Sequence, residues 1–290
     1  MKTRGRLKLI LPAAALVALI CLGGAVSLRS AERAADQNQK PRLVIWSWEH
    51  DDNLRFINPK VAAVAFYAGT ITIGRETATL QKRRNFLRLN EKTVSFPVFR
   101  IELAHPDERI SEIALATARE TIVDYLKQHP SEEIQIDFDA GKRDRDSYLA
   151  FLQALKTELA PHTAISITAL GSWCLYDKWL ESAPVNETVA MMFSMGKESK
   201  ETLAALTRTP LDSGARCAQS VGIALNERQT NSVLARQSSL ARASRVYAFS
   251  PLGWTRSRYE EILAATGQQD IDAALNLQKT ETDKVKVEQQ

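Results

Sequence analysis

Cysteine, histidine and glycine are scarce in this 290-residue chain, at three, four and twelve residues. Each scarcity narrows what the chain can do. The histidines are His50, His105, His129 and His162, and no His-x-His or His-x-x-x-His spacing joins them. A dedicated metal site is therefore not expected, although folding could bring His50 and His105 together. No Gly-x-Ser-x-Gly occurs, so there is no serine nucleophile elbow. No glycine-rich phosphate loop follows the first apolar stretch, which argues against a dinucleotide fold, and no cofactor is expected. Excess charge is lacking too. Net charge is +4, and four of the cations (Lys2, Arg4, Arg6 and Lys8) lie in the first eight residues. The remainder is close to neutral, so nucleic acid is not an expected partner.

Those four cations precede an uncharged apolar run, residues 9–28. Residues 1–28 read as a cleaved signal peptide, with Ala25-Val26-Ser27 as a processing site, or as an uncleaved N-terminal anchor. In both cases the basic flank stays cytoplasmic and the rest is sent outward. The expected location is the periplasm or the outer face of the cytoplasmic membrane, with membrane contact only through this segment. Cys21 lies within the run, but the bulky Ile20 before it makes a poor lipoprotein signal. Cys174 and Cys217 remain, and outside the cytoplasm such a pair favours a disulfide over two separate buried thiols.

Residues 29–40 are polar and lack periodicity, as a linker would. Residues 41–266 read as one domain, and 267–290 as a polar, flexible tail. Within the domain eight stretches read as strands: 42–49, 61–67, 94–103, 133–139, 164–170, 189–195, 221–225 and 245–249. Helical spacing lies at 110–126, 145–159, 176–181, 200–206, 230–243 and 256–265, with a short helix expected at 51–56. No good helix follows the second strand. There Thr70 to Ile73 alternate, Gly74-Arg75-Glu76 turns, and 77–80 can pair back as a β-hairpin. The pattern fits a (β/α)₈ TIM-type barrel with that hairpin in place of a regular second helix.

The stretch 133–142, Glu-Ile-Gln-Ile-Asp-Phe-Asp-Ala-Gly-Lys, organises the rest. Strand alternation puts Ile134, Ile136 and Phe138 on one face and Gln135, Asp137 and Asp139 on the other. Polar residues recur at other strand ends: Glu49, Arg100, Glu102 and Glu227. A barrel would gather them at one mouth. Glycoside cleavage needs two carboxyl groups across a bond, one of them protonated, and clustered acids raise one another's pKa. Asp139, Asp137, Glu102 and Glu227 are the catalytic candidates. Asp139, nearer the mouth, suits direct chemistry, and the deeper Asp137 suits organising it. Arg100 and Glu49 would contact substrate. Trp48, Trp173 and Trp254 are candidate sugar-stacking rings. Trp46 shares a strand face with Trp48, and core packing of one of the pair is expected. The expected partner is a carbohydrate polymer.

Four runs carry a family resemblance: Ile134 to Ala140; Ile167-Thr168-Ala169-Leu170-Gly171-Ser172-Trp173-Cys174; Pro184-Val185-Asn186-Glu187; and Met191-Met192-Phe193-Ser194-Met195-Gly196. Together they resemble the bacterial domain-of-unknown-function family 3142 over residues 42–259. The resemblance implies an exported barrel without a settled activity. In the family pattern an Arg is common where Ser194 stands, and an Asp where Asn186 and Asn226 stand. Glu187 and Glu227 are then the only acids at their motifs. Asp137-x-Asp139 also resembles the Asp-x-Asp-x-Glu strand of chitinase-like barrels. There the closing Glu is the catalytic acid; here its position is Gly141. Two readings stay open: a glycoside hydrolase-like enzyme, or a non-catalytic barrel that binds glycan or an envelope-assembly partner.

Overall fold

The computed structural model describes residues 41–177, 179–194, 199–209, 211 and 216–267. The expected export segment and linker lie outside the described residues, as does the tail beyond Gly267. Strands are β1 Leu43–Ser47, β2 Asp52–Asn53, β3 Ala62–Ile73, β4 Ala78–Lys82, β5 Leu87–Arg88, β6 Ser95–Leu103, β7 Glu133–Asp137, β8 Ala164–Leu170, β9 Glu187–Met191, β10 Ser220–Ala224 and β11 Val246–Phe249. Helices are α1 Glu112–Gln128, α2 Arg145–Glu158, α3 Gly171–Tyr176, α4 Ser199–Arg208, α5 Arg228–Arg236, α6 Ser239–Arg242 and α7 Arg256–Thr266. Among them, no helix is long and apolar enough to cross a membrane.

Eight parallel strands close in the order β1-β3-β6-β7-β8-β9-β10-β11, and β11 returns to β1. Helices lie between most of them, and the architecture is the expected (β/α)₈ barrel. After β3 the chain turns at 74–77 and β4 pairs back antiparallel, Thr72 opposite Thr79, so the hairpin does replace the second helix. β3 and β6 stay paired as far as Ile73 and Leu103, lengthening this side of the barrel.

Alternation along each strand separates two apolar regions. Ile134, Ile136 and Phe138 face outward and pack with Ala118, Phe151 and Leu155 of the helices. Val44, Trp46, Ala65, Phe96, Val98, Val189 and Tyr247 form a separate buried cluster within the ring of strands. Gly222 makes room there. A Cβ at this position would lie 2.7 Å from the Trp46 ring, so only glycine lets the indole lie across β10.

The N-terminal end of the barrel is closed by charge. Arg245 donates through Nε to Glu187 Oε1 at 2.8 Å and through Nη1 to Glu133 Oε2 at 3.2 Å, and its Nη2 pairs with both carboxylates. Tyr247 Oη adds a hydrogen bond to Glu187 at 2.7 Å. Burial alone would push the Glu187 carboxyl up. Arg245, with the Ser220 and Tyr247 hydroxyls, outweighs burial and holds it below the usual carboxylate range. Glu187, one of the two acids left at the family-like motifs, is thus a member of the barrel's floor, far from its mouth.

Several boundaries differ from the sequence expectation. The helix expected at 51–56 is absent, and β2 pairs instead with β5. The cause is Asp52, whose carboxylate accepts from Ser47 Oγ at 2.7 Å and from the Trp254 N–H at 2.9 Å, while its own N–H donates to the Phe86 carbonyl. The helix expected at 230–243 is broken in two by Ser238, whose φ of 57° is left-handed. The helix expected at 176–181 starts five residues earlier, as α3, and is followed by a short 3-10 turn at Trp179–Ser182. This early start carries Cys174 beside Cys217, and the two form a disulfide with Cα atoms 5.2 Å apart.

Candidate functional site

At the C-terminal mouth of the barrel is a cavity of about 310 Å³ lined by Trp46, Trp48, Arg100, Asp137, Asp139, Thr168, Leu170, Met191, Phe193, Ser194 and Phe249. This is the low end of the range for ligand pockets, and the mouth is where barrels build their sites. A second basin of about 600 Å³ adjoins it and shares Arg100, Asp137 and Asp139 with it. Glu102, Gly141, Lys142, Arg143 and Asp144 line this outer part.

The two walls differ in chemistry. One is built from β6, β7 and β8. Arg100 Nε donates to Glu102 Oε1 at 2.8 Å, and Arg100 Nη1 donates to Asp137 Oδ2 at 3.4 Å. Thr168 Oγ1 donates to the other Asp137 oxygen at 2.7 Å. Asp137 is only 6% exposed, so both its oxygens are committed to the protein. Asp139, one strand repeat onward, is exposed at the mouth and has no hydrogen-bond or ion-pair partner among the described residues.

Burial pushes the Asp137 carboxyl upward; the Thr168 hydroxyl and Arg100 oppose this, and the Asp139 charge reinforces it, leaving a net rise. Although Asp139 is exposed, the surrounding walls desolvate its carboxyl enough to raise it too, against the pull of Arg100. Behind this wall Tyr148 packs edge-on against Phe138, with ring centroids 5.1 Å apart. Burial, then the two aspartate charges, push its phenol well above the ordinary value, so it stays protonated.

The facing wall, from β9, β11 and β1, is aromatic. Phe193 stacks on Phe249 at 5.5 Å, Trp48 meets Phe249 edge-on at 6.5 Å, and Trp46 meets Phe193 at 5.9 Å. Trp46 Nε1 donates to Gln135 Oε1 at 2.6 Å, and Gln135 in turn donates to Ser166 Oγ at 3.0 Å. Of Trp46 on β1 and Trp48 just past it, Trp46 is therefore the packed member, 3% exposed, and Trp48 is the half-buried one.

The sequence candidates divide accordingly. Asp137, Asp139, Arg100, Glu102 and Trp48 come together in the cleft. Trp173 and Trp254 do not: they are 6% and 7% exposed and belong to the helical layers. Trp173 packs against Trp179 at 5.0 Å under the Arg145 guanidinium. Trp254 Nε1 donates to the Trp46 carbonyl at 2.7 Å. Both rings fold back because the segments after β8 and β11 turn at once into helix or tight turn, instead of extending over the mouth. Glu49 is exposed at the end of β1 and lines neither basin. Glu227 also stands off the cleft; its Oε1 accepts from the N–H of Ser194 at 3.4 Å. Ser194 has a left-handed φ of 53°, a strained backbone at the cleft edge. Thr168, Met191, Phe193 and Phe249 were missed by sequence reasoning. The alternation Ser166, Thr168, Leu170 along β8 was the signal that could have found Thr168. Among the described residues no group of three or more His, Cys, Asp or Glu could hold a metal ion.

No family model matches the chain, and no curated protein matches it. Solved structures do. The Bacillus megaterium QM B1551 spore cortex-lytic enzyme SleL matches at TM-score 0.52 and 11% identity, over 79% of this chain and 74% of that one. The catalytic domain of a family GH18 chitinase from the fern Peteris ryukyuensis matches at 0.50 and 10%, over 78% and 100%. The chitinase RmChi1 from Rhizomucor miehei matches at 0.50 and 8%, over 77% and 98%. The chain spans about half, 51%, of the Bacillus cereus SleL chain. At such identities the likeness is one of fold: the chain shares the (β/α)₈ barrel architecture of those chitinases and of SleL.

Proposed function

We propose that the chain is an exported, glycosidase-like barrel whose mouth binds an envelope or extracellular polysaccharide. One observation carries the reading: a single cleft sets a hydrogen-bonding acid wall opposite an aromatic wall. Aromatic faces bury the apolar faces of sugars at low entropic cost, while carboxylates take the hydroxyls at the ring edge. The chitinase and cortex-lytic barrels of like fold are consistent with a carbohydrate ligand. Export rests on the basic, then apolar, residues 1–28. Membership of the bacterial domain-of-unknown-function family 3142 rests on the Ser172-Trp173-Cys174 run and its companions.

Binding is the first reading because the cleft's carboxylates all stand on one wall and Gly141 occupies the position of a closing acid. A two-carboxylate mechanism needs an acid on each side of the bond. Hydrolysis is the second reading, favoured by the raised pKa of Asp139. A lone protonated carboxyl suffices where the substrate supplies its own nucleophile. A panel of soluble oligosaccharides, read by tryptophan fluorescence and by mass spectrometry of products, tests both. Saturable binding lost in Trp48→Ala supports recognition. Product formation abolished in Asp139→Asn supports hydrolysis. No binding to any oligosaccharide would end the proposal.

A further inference from the structure

The charge inside the aromatic half of the cleft is not balanced. The ionisable residues lining it are Arg100, Asp137 and Asp139, one cation against two carboxyl groups. The guanidinium is already engaged by Glu102 at 2.8 Å and Asp137 at 3.4 Å. Asp139 is left without an ion-pair partner among the described residues. The outer basin does not supply one. Arg143 donates to the carbonyls of Asp107 and Pro106, and its Nε faces Asp144 Oδ1 at 3.7 Å. Lys142 lines that basin without reaching the Asp139 carboxylate, and an exposed ammonium on a flexible stem is strongly hydrated.

The aromatic side of the same cavity carries the rings of Trp48, Phe193 and Phe249. Ring faces attract a cation placed over them. A carboxyl outside any ion pair among the described residues and an aromatic wall, lining one cavity, both favour a positively charged ligand group. An N-acetyl group offers neither wall a charge, and a uronic acid would meet Asp137 and Asp139 with like charge.

We propose that the glycan recognised here carries free amines: a polymer of deacetylated hexosamine units whose ammonium group pairs with Asp139 beside the aromatic wall. This rests on the reading of the cleft as a glycan site and narrows it to a substrate class. Burial raises both carboxyls against the pull of Arg100, and an ammonium held beside them would favour their charged forms.

The test uses the full chain and three tetramers of equal length: glucosamine, N-acetylglucosamine and glucose. Affinities are measured by titration calorimetry at low and high salt. The glucosamine tetramer should bind at least about tenfold tighter than the other two, a difference of about 1.4 kcal/mol. The preference should shrink at high salt, because charge pairing at a cleft mouth is screened. Asp139→Asn should abolish the preference, so that the glucosamine tetramer binds no tighter than the glucose tetramer. Glu102→Gln, at an exposed position, checks the same electrostatics should Asp139→Asn fold poorly, and should weaken the preference. Equal or tighter binding of the acetylated or neutral tetramer would overturn the amine proposal and leave the glycan reading standing. Failure of all three tetramers to bind would overturn both.

Discussion

Replacing Arg245 by Met should destabilise the barrel at its closed end. The guanidinium is the cation shared by Glu133 and Glu187, which are 4% and 7% exposed. It also lies over the rings of Phe96 and Tyr247, at 5.6 and 5.3 Å. Met replaces the stem's packing but none of the charge. Removing one partner from a buried ion network costs about 3–5 kcal/mol. For a domain of this size each kcal/mol lowers Tm by about 2–4 °C, so the loss should be roughly 6–20 °C. The pH dependence gives a second handle. In the wild type the Glu187 carboxyl titrates below its unfolded value, so its contribution is present above about pH 4.3 and lost as pH falls through the folded value. In Arg245→Met burial is unopposed by the guanidinium, and the Glu187 carboxyl should rise above its unfolded value. Its contribution then reverses sign: the variant should lose stability as pH rises through that raised value. Thermal melts followed by circular dichroism across acid to neutral pH read both effects. A Tm within about 2 °C of wild type, with an unchanged pH slope, would refute the role given to this network.

Other outcomes follow from the same geometry. Gly222→Ala places a methyl 2.7 Å from the Trp46 ring and should cost about 1–3 kcal/mol in urea melts, with a changed near-ultraviolet tryptophan signal. Cys174→Ala with Cys217→Ala opens a link across 43 residues and should lower stability by about 4 kcal/mol on the chain-entropy estimate; a smaller shift than about 1 kcal/mol would contradict it. Asp137 is raised in the fold, so its contribution is present below its unfolded value of about 3.9 and fades as pH rises through the folded one. Asp137→Asn should therefore flatten the stability profile over that window without lowering Tm at neutral pH, and a large neutral-pH loss would show that the Arg100 contact dominates. Trp254→Phe, which removes the hydrogen bond to the Trp46 carbonyl, should lower Tm without changing oligosaccharide affinity; weakened binding would return Trp254 to the cleft.

The barrel was legible because its strands are written in period two and its helices in period 3.6. Ile134, Ile136 and Phe138 against Gln135, Asp137 and Asp139 announce their two faces by residue type alone. The hairpin after β3 was equally legible from the alternation of Thr70 to Ile73. What escaped was local. Asp52 looked like an early helix residue, yet its carboxylate bonds Ser47 and the Trp254 N–H across 202 residues of chain, and no periodicity encodes that. Trp173 and Trp254 looked like mouth residues because they follow strands. Whether such a ring extends over the mouth or folds onto a helix depends on the first turn after the strand, which pattern alone leaves open. Glu187 and Glu227 looked alike as motif acids. One begins a strand and one follows a strand, and that alone sends the first to the barrel's floor and the second toward its mouth.

The most direct test of the cleft is a crystal structure of the full chain with a hexosamine tetramer. A sugar ring should lie flat within about 4 Å of Trp48 or Phe249, with a polar substituent in hydrogen-bond reach of the Asp139 carboxylate. A tetramer bound elsewhere, with the mouth between Asp139 and Phe249 left open, would contradict the assignment.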